Sequence, residues 1–165
     1  AALETPDVAR AARDGLSTAV VMFGSSARVV VPPALDPRYV ARTLRLTEQP
    51  ISGATNVAAG LQAGLDVLLA QDCERRVLDI SGDGSHNSGP ISEVREAVQQ
   101  AAEADVQINA LPIVTTAEPN VAAWFEREIT EPTGGFVMAS GWLDFTRAIR
   151  AKIASEVASN DRPND

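Results

Sequence analysis

Aromatic side chains are scarce in this sequence. Phe, Trp and Tyr together make up 4% of the 165 residues, so the core has to be built from Ala, Val, Leu and Ile. A lone cysteine, Cys73, cannot close an intrachain disulfide and leaves the redox compartment open; it reads as a small, half-buried residue. A lone histidine, His86, means that any catalytic triad must use it. Positive charge is short as well: 14 Lys and Arg against 22 Asp and Glu give a net charge of −8. That acidity argues against nucleic acid and anionic membrane surfaces as partners, because both require a basic field. No apolar run approaches the ~18 residues of a membrane span, and no signal-peptide pattern is present. Hydrophobic residues at 45% and charged residues at 22% are ordinary globular usage. The length suits about one domain.

Periodicity orders the chain. Residues 4–14 read as a short helix closed by Gly15. Thr18 to Phe23 and Arg28 to Val31 read as a hairpin around Gly24-Ser25-Ser26, ended by Pro32 and Pro33. A helix follows over 37–46. Val57, Leu61, Leu65, Leu68 and Leu69 share one helical face, with Gln62 and Asp66 opposite and Gly60 and Gly64 forming a small-residue strip for close approach to a sheet. Strands over 77–80, 108–114 and 136–138 then alternate with helices over 91–103, 121–129 and 145–157. Strict alternation implies parallel strands with right-handed crossovers. The expected fold class is α/β: a doubly wound, mostly parallel sheet, helices on both faces and one antiparallel edge strand. The strands at 18–23, 77–80, 108–114 and 135–138 are expected as neighbours in one sheet.

Ligands of such sheets sit beyond the carboxyl ends of the strands, which directs attention to the loops at 53–56 and 81–89. Asp83 lies between Gly82 and Gly84 directly after a buried strand, with Ser81, Ser85, His86 and Asn87 nearby. Taken alone, Asp83 could simply form a turn. Thr55, or its neighbour Asn56, could simply cap the helix that starts at Val57. Asp79-x-Ser81-x-Asp83-Gly84 imitates half of a calcium loop, but Pro90 occupies the position that needs a bidentate acid. Ser85 lacks a nucleophile elbow, and no phosphate loop or dinucleotide fingerprint occurs. His86 is expected to be exposed and unpartnered.

The ordered motifs together resemble the von Willebrand factor type A (vWA) domains, and in particular a bacterial family of vWA-like domains of uncharacterised function. The matching stretches are Gly53-Ala54-Thr55, the run from Arg75 to Gly84 with Asn87 and Gly89, Ile108 to Ile113, Gly134 to Val137, and the last helix with Phe145, Ala148, Ile149, Lys152 and Glu156. The resemblance implies a protein-binding module, not an enzyme, with a metal-ion-dependent adhesion site. There Thr55 would match the second-loop ligand and Asp83 the third-loop carboxylate of Mg²⁺ or a similar divalent cation. A protein partner would offer an acidic side chain to the open metal position, and an exported or periplasmic location is implied. The family's first loop, Asp-x-Ser-x-Ser, occurs nowhere in this sequence. The strand before it, central in that fold and lying between the strands at 18–23 and 77–80, is absent too. The chain therefore reads as one vWA-like domain over 1–158, amino-terminally incomplete and starting at Ala1 instead of Met, with a polar tail over 159–165. Two ligand groups alone are expected not to hold a cation tightly. The alternatives are a metal-assisted hydrolase using Asp83 and His86, and a metal-free scaffold.

Overall fold

The computed structural model describes residues 5–47 and 53–159. The start of the first expected helix, Ser52 and the tail beyond Ser159 lie outside the described residues. Helices α1 (Pro6–Arg13) and α2 (Pro37–Leu46) each begin with proline at the first helical position, where no amide partner is lost. Each is capped by a side chain: the Val8 amide donates to Thr5 Oγ1 at 3.4 Å, and the Arg38 amide to Asp36 Oδ1 at 2.9 Å. Between them lie β1 (Thr18–Phe23) and β2 (Ala27–Ala34). Then come α3 (Val57–Leu69), β3 (Arg76–Gly82), α4 (Ile91–Glu103), β4 (Val106–Pro112), α5 (Val121–Phe125) and α6 (Phe145–Ser159).

The main core forms where α3 and α4 cover one face of β3 and β4. The expected apolar stripe of α3 points inward over most of its length, with Val57, Leu61 and Leu65 fully buried, Leu68 partly buried and Leu69 exposed at the helix end, while Gln62 donates to Asp66 at 2.9 Å on the opposite face. Val94 and Val98 of α4, Leu78 and Ile80 of β3, and Ile108 and Ala110 of β4 complete it. Side chains alternate along a strand, so Asp79 points to the other face from Leu78 and Ile80. There α6 supplies Lys152, 2% exposed, which pairs with Asp79 and lies 5.5 Å from the centre of the Phe136 ring. Helices thus cover both faces, as the α/β reading requires. A satellite cluster of Val8, Ala11, Leu16 and Ile153 joins α1 to α6.

The single sheet expected from the sequence is corrected. β1 pairs antiparallel with β2, β3 pairs parallel with β4 from Arg76↔Val106 to Gly82↔Pro112, and the two pairs share no ladder. A side chain takes the place of backbone rungs at their carboxyl ends: the Phe23 ring tip comes within 3.7 Å of where a Cβ on Gly82 would sit. Helix α3 spans both pairs with its glycine strip. A Cβ on Gly60 would fall 2.8 Å from the Phe23 ring, and one on Gly64 would fall 2.8 Å from Leu78 Cδ1.

Prolines account for two further departures. Pro32 and Pro33 do not end β2, which runs on to Ala34. The strand pairs with β1 alone, so donor-free residues are tolerated at its open edge, and register shifts around Val20 absorb the misfit. The expected strand at 136–138 is reduced to two parallel bridges, Ala110↔Val137 and Ile113↔Ser140. Ala110 exchanges bonds with Phe136 and Met138, and Ser140 with Pro112 and Val114, all at 2.7–3.0 Å. The rung between them would need an amide hydrogen on Pro112, which has none. The helix expected over 121–129 is α-helical only to Phe125, then widens into a π turn over Glu126–Thr130 and tightens into a 3₁₀ turn over Glu131–Thr133.

Two predictions follow from this packing. A Cβ on Gly135 would lie 1.8 Å from the Ile108 carbonyl oxygen, whereas one on Gly134, at φ +67°, would meet open space. Gly135→Ala is expected to cost about 3 kcal/mol through displaced backbone, and Gly134→Ala only about 1–2 kcal/mol of left-handed strain. Urea midpoints compare them, and equal shifts would contradict the close approach. Glu128 accepts from Arg95 Nε at 3.0 Å and Arg127 Nε at 2.9 Å. The Arg95 hydrogen bond, then that of Arg127, holds its carboxyl below the ordinary value of 4.5, against a smaller opposing effect of burial. A depressed folded pKa gives stability that is present above 4.5 and lost as pH falls through the lower folded value. Both arginines are largely exposed, so the gain is screened to about 0.2–1 kcal/mol. The stability difference between wild type and Glu128→Gln is therefore expected to shrink as pH falls below 4.5. A constant difference down to strong acid would remove the ion pairs as its cause.

Candidate functional site

Three loops meet beyond the carboxyl ends of β1 and β3. The turn after β1 accepts through the Gly24 carbonyl from the Asn56 amide, at 2.7 Å. The 53–56 loop is tied in turn to the loop after β3 by a reciprocal pair. The Thr55 amide donates to Asn87 Oδ1 at 2.6 Å, and the Asn87 amide donates to the Thr55 carbonyl at 3.0 Å. The absent side chain at Gly84 allows this approach, since a Cβ there would lie 3.2 Å from Thr55 Oγ1. Below them the Ile113 amide donates to the Gly82 carbonyl at 2.8 Å, anchoring the start of the third loop to the end of β4.

The capping question left open by the sequence is answered by Asn56, whose Oδ1 accepts from the Ala59 amide at 3.0 Å. The Thr55 hydroxyl makes no hydrogen bond among the described residues and is half-buried beside Gly84. Asp83 is exposed on the neighbouring loop and makes no side-chain hydrogen bond among the described residues. The structure therefore brings the loops of Thr55 and Asp83 side by side. Asp79 stands apart with Lys152 on the sheet face, so the imitated calcium loop does not converge. Ser81 is committed, its hydroxyl donating to the Leu111 carbonyl at 2.8 Å. Cys73 is half-buried, as expected.

His86 corrects an expectation. It is half-buried instead of exposed, and both ring nitrogens are shielded from solvent without a hydrogen-bond partner. Its neighbour Asn87 is exposed and bonds Thr55. A general base needs a nucleophile within hydrogen-bond reach, and among the described residues none lies within reach of either ring nitrogen of His86. The part played by Asn87 was missed in the sequence, where it stood as one more short polar residue. The available signal was its place three residues after Gly84, within reach of a neighbouring loop but outside the turn itself.

The donors of Thr55 and Asp83, a hydroxyl and a carboxylate, are hard oxygens of the kind Mg²⁺ takes. Their chemistry fits such an ion. Among the described residues, no group of three or more His, Cys, Asp or Glu converges as a metal site. No helix among them is long and apolar enough to cross a membrane.

This architecture is that of a vWA-like domain. It is similar to a von Willebrand factor type A protein from Catenulispora acidiphila, with a TM-score of 0.69 at 18% identity over 94% of this chain and 37% of that one. It is also similar to an aerotolerance-related membrane protein from Bacteroides fragilis, at 0.67 and 16% identity over 95% and 88%. A third likeness is to proximal thread matrix protein 1 from the mussel byssus, with a zinc-occupied MIDAS motif, at 0.64 and 15% identity over 94% and 40%. These likenesses show the fold. The chain belongs to the family described as protein of unknown function (DUF1194), whose model matches residues 1–161. Comparison with curated proteins gives no match.

Losing the Asn87 side chain removes one of the two bonds joining the site loops. Asn87→Ala is expected to lower stability by about 1 kcal/mol and to speed hydrogen exchange at the Thr55 amide, whereas Asn87→Asp keeps the acceptor and most of the protection. Exchange at Thr55 that is unchanged in Asn87→Ala would rule out the latch.

Proposed function

We propose that this domain is a protein-binding module without catalytic activity, engaging an acidic side chain of its partner through a divalent cation, Mg²⁺ or a similar ion, at the carboxyl edge of the strands. The observation that carries this reading is the division of labour between neighbours: Asn56 caps α3, which leaves the Thr55 hydroxyl uncommitted beside the Asp83 loop. When bound, the cation would supply positive charge to an edge of a protein whose net charge is −8, where a carboxylate would otherwise be repelled. Thr55 and Asp83 would hold it, and the Asn87 latch would keep their loops together. The zinc-occupied MIDAS motif of the mussel protein, which shares the fold, supports the same use of this edge. An exported, periplasmic location belongs to this reading, supported by likeness to the Bacteroides membrane protein. The shielded His86 ring gives the hydrolase alternative no support.

With two protein groups the ion is held weakly, because Mg²⁺ gives up its waters reluctantly. Mn²⁺ is therefore the better probe, as it broadens nearby amide resonances even at low occupancy. Thr55, Asp83 and Gly84 are expected to broaden first, Mg²⁺ to compete, and Asp83→Ala to abolish the effect. Broadening centred on other acidic residues, or unchanged in Asp83→Ala, would leave a metal-free scaffold. Hydrolytic activity lost in His86→Ala would restore the enzyme.

A further inference from the structure

A second surface lies at the opposite flank of the β3–β4 sheet and does not depend on the carboxyl edge. The segment from Phe136 to Ser140 bonds β4 through Phe136, Met138 and Ser140 only. The alternate residues, Val137 and Ala139, turn their amides and carbonyls outward, and none of these groups has a partner among the described residues. This is an open strand edge. It faces a groove of about 680 Å³ between Gly134–Val137 and the outer side of the helix that continues α5. That helical wall is acidic on balance: Glu126 and Glu131 are exposed on it against one cation, Arg127, whose guanidinium shares Glu128 with Arg95.

We infer that the Phe136–Ser140 edge and its acidic groove accept an extended basic segment of a partner protein, which adds to the sheet as a further strand. Backbone groups at Val137 and Ala139 would supply the pairing, and Glu126 and Glu131 would select Lys or Arg at alternate positions of the incoming strand. A second copy of this chain fits poorly. Pairing of like edges would bring the two acidic walls together, on molecules that each carry a net charge of −8. The edge is short, which keeps the interaction reversible.

The test uses a fluorescein-labelled heptapeptide of alternating Lys and Val, followed by anisotropy against the whole protein. Saturable binding is expected, equal in Mg²⁺ and in EDTA, with new exchange protection at the Val137 and Ala139 amides. Methylating the peptide's alternate backbone nitrogens blocks pairing but keeps its charge, and is expected to abolish binding. Glu126→Gln combined with Glu131→Gln changes two exposed side chains and is expected to weaken binding about tenfold, which is ~1.4 kcal/mol. Asp66→Asn, on the remote face of α3, leaves it unchanged. Equal binding of the methylated peptide, indifference to the Glu126 and Glu131 changes, or dependence on Mg²⁺ would overturn the inference. So would protection of the same amides by self-association of the protein without peptide.

Discussion

The Phe23 ring lies against the backbone of α3 at Gly60, and one turn further along Leu78 lies against Gly64. These two contacts tie the hairpin of β1 and β2 to the parallel pair of β3 and β4, which share no ladder. Any larger residue at either glycine would push the helix off one of its two supports. Because Asn56 at the start of α3 is bonded both to the Gly24 turn and to its own first turn, the position of this helix also decides where the 53–56 loop stands. The site is thus built on a joint made by packing, and the loop bonds register on top of it.

That joint explains the economy of the site. Asn56 spends its side chain on the helix end, and Asn87 spends both side chain and amide on Thr55. Among the described residues the Thr55 hydroxyl and the Asp83 carboxylate stay without a hydrogen bond, on loops held side by side. Fixed donors lose little freedom when a ligand arrives. The half-buried His86 ring, its nitrogens without a partner among the described residues, is consistent with packing.

Much of this was legible in the sequence. The stripe of α3 from Val57 to Leu65, its glycine strip and the order of elements up to β4 appear where the periodicity put them, because burial against a sheet enforces both patterns. The positions of Thr55 and Asp83 beyond the strand ends follow from topology alone. What was not legible depends on partners distant in the chain. Whether Pro32 and Pro33 end a strand depends on whether a neighbour needs their amides, and here none does. Pro112 weakens the segment at 136–140, a consequence visible only once the two are known to be adjacent. The bond between Thr55 and Asn87, 32 positions away, is likewise invisible until the loops are known to be adjacent.

Separate ladders also set an order of assembly. The hairpin of β1 and β2 closes over a three-residue turn and needs nothing beyond residue 34 to pair, so it can form on the microsecond scale of local hairpins. β3 and β4 must wait for the α4 crossover, a larger loop with a greater closure cost. Helix α3 lies between these two units in the chain and is apolar on the face each of them needs. Until both are formed it has only one surface to bury against, and its exposed stripe is the most sticky element of the unfinished chain. Emerging in order during synthesis, the hairpin would be ready to receive α3 before the second sheet exists, which shelters that stripe at the stage when it is most vulnerable.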